Sequence, residues 1–222
     1  MGRPIQQNRT ELTMLTSLIP VFPLPDVVLF PGVFLPLHIF ELRYRDMVKD
    51  TLAGDRLIGI SLLRPGWDHD ADGRPAIYPI GCVGLISHVE ELADGRYNMV
   101  LRGVEKFRVV REEALTRAYR RASVDYVEER MTDQDRDTVR RQRHQLERLL
   151  ATVADAPEQT FPATLSDEEV INALAQYLDL EPIERQALLE QDGVARRCGA
   201  LIELLEMKEM SASQPSDRGL KH

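Results

Sequence analysis

Lysine is scarce in this chain: of 28 basic residues only Lys49, Lys106, Lys208 and Lys221 are lysines. None follows a glycine or precedes a serine or threonine. The Gly-Lys-Ser/Thr core of a phosphate-binding loop is therefore missing, and ATP hydrolysis is not expected. Cysteine is almost as rare. Cys82 and Cys198 lie far apart, which supplies neither a disulfide framework nor a metal-ligand cluster and suits a reducing, cytoplasmic setting. No apolar run is long enough to span a bilayer. The opening MGRPIQQNRTELTMLTSLIP has no apolar segment of signal-peptide length. Aromatic residues make up only 6%, and the formal charge is −8. Base stacking and phosphate-driven nucleic-acid binding both lack their usual material.

The hydrophobic period changes once, near residue 130. Before it the pattern is β. Leu18–Phe22 and Val27–Phe30 are short apolar runs punctuated by Pro20, Pro23, Pro25 and Pro31, which predicts short or edge-like strands. Val33–Phe40 continues as an extended segment. A helix with Tyr44, Met47, Val48 and Leu52 on one face follows, ending at Gly54. Leu57–Leu63 and Ile77–Val89 are strands, the second containing Gly81 and Gly84. Asp94-Gly95 is a hairpin signal before the alternating Tyr97, Met99 and Leu101. Glu105–Val110 and Arg120–Tyr126 complete the set, a pattern of short strands that predicts a compact barrel or folded sheet.

After residue 130 the period is helical. Thr132–Asp135 and Ser166–Glu169 have capping-box spacing. Pro182 suits a first helical position and Gly193 a helix end. Val194, Cys198, Leu201, Ile202 and Leu205 form the apolar stripe of a last helix. The expected division is a flexible lead-in at 1–13, a β unit at 14–128, a helical unit at 129–209 and a disordered tail at 210–222.

Within the β unit the stretch Ile19–Arg45 carries a specific pattern. Its parts are Phe22-Pro23-Leu24, Asp26-Val27-Val28, Phe30-Pro31-Gly32, Leu35-Pro36-Leu37 and Ile39-Phe40-Glu41 with Arg43-Tyr44. It resembles the opening of the Lon protease N-terminal, substrate-binding domain family. Ile80–Ile86, the Asp94-Gly95 turn, Gly103 with Phe107, and the segment from Leu188 to Glu206 also resemble that family. The resemblance covers Leu18–Met207. It implies an α+β fold, a PUA-like β-barrel followed by a small α-helical bundle. The same module occurs in cereblon-type ubiquitin-ligase adaptors. The resemblance further implies a non-catalytic module that binds unfolded or hydrophobic polypeptide segments or a protein partner. Full-length Lon continues into an ATPase and a Ser-Lys protease. Neither is recognisable in this chain, so the expectation is a stand-alone binding module with no cofactor, no metal, no nucleic acid and no membrane partner.

The residues chosen for polypeptide binding are Phe30, Phe34 and Phe40, with Trp67 on its Pro-Gly-Trp-Asp loop as the aromatic expected to be most exposed. Most of the Phe22, Phe30, Phe34 and Phe40 group is expected in the core. Asp68-His69-Asp70-Ala71-Asp72-Gly73 looks like half a calcium loop. Pro79 stands where the closing glutamate belongs, so the motif reads as an acidic hairpin. His38, His69, His88, His144 and His222 are scattered, and the two cysteines read as core residues. Arg117–Arg121 and Arg140–Arg143 read as solvated charge. Two alternatives remain open: a small-molecule or hydrolytic site in a cleft between barrel and bundle, and RNA binding by analogy with other PUA folds.

Overall fold

A computed structural model describes residues 15–69, 74–114, 116–153 and 164–213. Six strands, β1 (Leu18–Leu24), β2 (Phe34–Ile39), β3 (Leu57–Leu62), β4 (Ile80–Glu91), β5 (Tyr97–Glu112) and β6 (Arg120–Val127), form one sheet in the order β2-β5-β4-β3-β1-β6. β6 also pairs with β5, so five strands close into a ring with β2 appended. Only β1 and β3 run parallel. The ring is followed by the helices expected after residue 130, which gives the α+β arrangement the sequence implies.

β5 organises the ring. Its first half pairs with β2, its second half with β6, and β4 follows most of its length. The alternation of Tyr97, Met99 and Leu101 is real, each being buried while Asn98 is exposed. β3 is buried at every position, so both of its faces are covered. Gly81 lies against it, and a methyl group there would stand 2.3 Å from the Ile60 carbonyl oxygen. Helix α1 (Leu42–Leu52) buries Tyr44, Met47 and Val48 in one of the sheet's apolar clusters.

Val27–Phe30, expected as a strand, has no ladder partner. Its residues still alternate, with Leu29 in a sheet cluster and Val28 and Phe30 in the cluster shared with the helices. The backbone bonds go elsewhere. The Phe30 N–H donates to Gln176 Oε1 at 3.0 Å, and the Phe30 carbonyl accepts from Val33 in a tight turn. Gly103 of β5 lies against that turn, where a methyl group would sit 2.0 Å from the Phe30 oxygen.

The helices are α2 (Asp133–Val153), α3 (Asp167–Tyr177), α4 (Pro182–Leu189) and α5 (Val194–Ser213). Both capping boxes form: Thr132 and Asp135 exchange bonds at α2, as Ser166 and Glu169 do at α3. Gly193 takes φ +89° between α4 and α5. α5 runs through Ser213, past the point where a disordered tail was expected. The lead-in at 1–13 and residues 214–222 lie outside the described residues.

The helical layer joins the ring through apolar packing and one buried charge network. Phe30, Val33, Leu62 and Ile80 pack with Ile171, Leu188, Cys198 and Leu201. Glu129, just after β6, accepts from Lys106 of β5 at 2.6 Å and from Arg197 of α5 at 2.6 and 2.9 Å. All three side chains are at most 6% exposed. Arg197 also donates to the Leu188 carbonyl and to Asn172, whose amide donates to the Pro31 carbonyl. Glu129→Ala would leave two buried cations without their anion. It is expected to lower the unfolding free energy by about 3–5 kcal/mol, read from urea denaturation at neutral pH.

Candidate functional site

A cleft of about 580 Å³ opens between the end of β1, the end of β2, the start of α1, and Leu63, Trp67, Arg74 and Pro75. Its position follows from prolines. Pro23 in β1 and Pro25 just after it line the cleft and carry no N–H, so this strand end is a poor template for further pairing. Apolar side chains line the gap instead. Phe22 and Tyr44 form the floor, their ring centroids 4.3 Å apart. Leu24 and Leu37 are half-buried on the walls. Phe40 is 62% exposed and Trp67, in a short 3-10 turn, is 43% exposed; both line the cleft.

The polar rim is tied down. His38 Nδ1 bonds Asn98 Oδ1 at 2.7 Å, and the His38 ring stacks on Phe40 at 6.4 Å. Arg43 pairs with Glu41 at 2.9 Å and lies over the Tyr44 ring. Arg74 pairs with Glu112 at 2.9 Å. Arg120 bonds the Pro75 carbonyl and so fixes the returning loop. Tyr119 donates to Asp50 at 2.8 Å. Burial first, then that carboxylate, push its hydroxyl up to about 12, so it stays neutral. The cleft is apolar at its floor and neutral or paired at its edge.

Of the four residues chosen from sequence, the structure brings Phe40 and Trp67 together. Phe30 is a correction. It is fully buried, packed in the ring–helix cluster with the Arg197 guanidinium 5.6 Å from its ring, and has no surface to offer. Phe34 is half exposed but stands at the other end of β2, roughly 20 Å from Phe40 at strand rise. Its neighbour there is Tyr177, 63% exposed, whose hydroxyl donates to the Phe34 carbonyl. Phe22, Tyr44, Leu24 and Leu37 were missed as cleft residues. Phe22, Leu24 and Leu37 adjoin prolines in the sequence, and Tyr44 gave no such sign.

Phe34 borders a second cavity, of about 540 Å³, between β5 and the first turn of α3. Arg102, Glu105, Glu168 and Glu169 line it. Burial pushes the Glu105 carboxyl up to about 7, and the charges of Glu129, Glu128 and Glu168 add to the shift. Burial raises Glu168 as well, with Arg197 opposing.

The remaining sequence candidates disperse. Both cysteines are buried free thiols, and burial raises both, Cys198 to about 12. Asp68 sits in the turn with Trp67, whereas Asp70, Asp72 and Gly73 of the acidic loop lie outside the described residues. No group of His, Cys, Asp or Glu among the described residues is arranged to hold a metal ion. The arginine-rich runs face acids: Arg117 pairs with Asp50, Arg140 with Asp137, and Arg143 with Glu147 and Asp167. No described helix is long and apolar enough to cross a membrane.

The profile of the ATP-dependent protease La (LON) substrate-binding domain matches residues 18–207. Lon protease 2 of Myxococcus xanthus is 25% identical over 198 residues, which cover 86% of this chain and 24% of that protein. The chain thus spans about a quarter of the length of the curated relatives it matches. Among solved structures, the N-terminal domain of Mycobacterium avium complex Lon protease superposes with a TM-score of 0.61 at 18% identity, covering 85% of this chain and 98% of that one. A Lon N-terminal domain protein from Xanthomonas campestris gives 0.55 at 25% identity, covering 90% of this chain and all of that one.

Trp67 is the single tryptophan, so its emission reports the cleft alone. Acrylamide should quench it readily in the native protein. Trp67→Ala should change the unfolding free energy by no more than about 0.5 kcal/mol, because a half-exposed ring on a surface turn supports little core. A larger loss in a urea titration would place the ring in the fold rather than at a contact site.

Proposed function

The chain belongs to the ATP-dependent protease La (LON) substrate-binding domain family, and on that premise we propose that its cleft holds exposed apolar segments of other polypeptides. The observation that carries this reading is the pairing of Phe40 and Trp67, from separate elements, across an apolar floor of Phe22, Leu24, Leu37 and Tyr44. A soluble domain leaves such rings exposed at the cost of unfavourable contact with water, and a client's apolar side chain relieves it.

Recognition through side chains suits this cleft. The prolines at its edges limit main-chain pairing, and the paired rim offers no fixed polar code. Many sequences are accepted, provided they present an aromatic or large aliphatic residue. The titratable groups hold loops in place, and both thiols are buried and raised, which supports capture rather than cleavage. Two apolar anchors removing about 300–400 Å² from water return roughly 8–10 kcal/mol. Association costs of at least about 4 kcal/mol leave a Kd of about forty micromolar to millimolar or weaker. Binding this weak releases its client quickly.

The test is anisotropy titration with one labelled client in folded and unfolded forms. The unfolded form should bind. Phe40→Ala and Trp67→Ala should each weaken binding by about 5- to 30-fold. Val110→Ala, an exposed residue at the far end of β5, should leave it unchanged. Equal binding of both client forms, or no effect of either aromatic substitution, overturns the reading.

A further inference from the structure

The second cavity lies where the helical layer meets the ring, and its chemistry differs from that of the cleft. We propose that this seam is a proton-responsive joint, in which a proton on Glu105 draws α3 onto β5 and its loss loosens the helical layer while the ring stays closed. The inference is independent of what the cleft binds.

Three observations carry it. First, the hold of α3 on the ring is concentrated on one turn. Gln176 accepts from the Phe30 N–H and donates to the Phe34 carbonyl, Asn172 donates to the Pro31 carbonyl, and Tyr177 donates to Phe34. Second, three carboxylates and one arginine are the charged groups that line the cavity under that turn. Glu105 faces Glu168 and Glu169 of α3, with Glu128 and Glu129 of the segment after β6 close by. Glu169 is engaged in the Ser166 capping box, and Arg102 of β5 lines the same cavity. Third, the nearest buried cations are committed. Lys106, the strand neighbour of Glu105, directs its ammonium to Glu129 and the Gln191 carbonyl. Arg197 of α5 directs its guanidinium to Glu129, Asn172 and the Leu188 carbonyl. The Lys106 backbone N–H bonds the Glu105 carboxylate at 3.3 Å. An ionised Glu105 therefore adds like charge beside Glu168 and Glu169 of α3.

The sign follows from proton linkage. The folded chain holds the Glu105 proton up to about pH 7, against an ordinary value of 4.5. Its contribution to the closed seam is complete below about 4.5 and is lost as pH rises through about 7. The loss is local because the ring has apolar clusters of its own, separate from the one it shares with the helices.

The two cysteines report the two sides. Cys198 belongs to the cluster that spans the seam, Cys82 to a cluster within the ring. The full chain is labelled with excess methyl methanethiosulfonate, and each site is followed by mass spectrometry in wild type and Glu105→Gln at the same pH. This cancels the thiols' own pH dependence. At pH 8, Cys198 of the wild type should label about 3- to 10-fold faster than in Glu105→Gln, a shift reduced from the full linkage value by the solvent that reaches Glu105. The gap should narrow at pH 6 and close by about pH 4.5, where the open seam holds the proton too, and Cys82 should label alike in both proteins throughout. Equal Cys198 rates at pH 8 overturn the proposal. A parallel change at Cys82 also overturns it, since that is global destabilisation rather than a joint. Should Glu105→Gln fold poorly, Glu168→Gln relieves the same crowding and should slow Cys198 labelling in the same sense; no change there is equally decisive against the joint.

Discussion

One carboxylate, that of Glu129, holds two buried cations drawn from distant parts of the chain. Through Lys106 it reaches β5, and through Arg197 it reaches α5, the end of α4 and Asn172 of α3. Asn172 in turn satisfies the Pro31 carbonyl, in a turn whose Gly32 and Val33 also bond Gly103 of β5. Apolar packing would hold these layers together in many relative positions. A buried ion network is satisfied in very few, because each misplacement strands a desolvated charge. The network therefore sets where the helices sit, and the 30–34 turn follows.

From that turn the site is laid out by geometry. β2 leaves it at Phe34 and ends at Ile39, delivering Phe40 to the cleft. Phe22 and Tyr44 close the floor from β1 and α1. Trp67 comes from a loop whose return is pinned by Arg120 on the Pro75 carbonyl. Phe34 at the start of β2 and Phe40 just past its end thus serve different surfaces: Phe40 an apolar cleft, Phe34 the border of a charged seam.

Elements governed by local chemistry were legible in the sequence. The capping boxes at Thr132 and Ser166, the Asp94-Gly95 turn and the alternation from Tyr97 each depend on residues within a few positions of one another, and all are present. Val27–Phe30 shows the limit. Its apolar alternation is that of a strand, but whether a strand forms depends on a ladder partner, and here the Phe30 N–H is taken by a side chain 146 residues away. The same cause misplaced Phe30 among the binding residues, since the α3 and α5 side chains that bury it are invisible to a reading of the first forty residues. The exposure of Trp67 and Phe40 was legible because a ring after a Pro-Gly pair, or just beyond a strand, has few neighbours to cover it. Nothing in the sequence near Lys106, Glu129 or Arg197 distinguishes these charges from solvated ones.

The closure of the ring bears on the order in which the chain assembles. Leu18–Val21 of β1 pairs with Arg120–Ser123 of β6, about a hundred positions later, and β6 is also the strand that completes β5. During synthesis the hairpin of β4 and β5 has all its residues once Glu112 has emerged, but β1 lacks its outer neighbour until β6 follows. Contacts this distant carry a large loop-closure entropy and form slowly. The helical layer comes last, with Glu129 the first member of its charge network to follow β6 out of the ribosome. A nascent chain ending before Arg120 is an open sheet with two unpaired edges, and in that interval the prolines of β1 and β2 guard it against pairing with its neighbours.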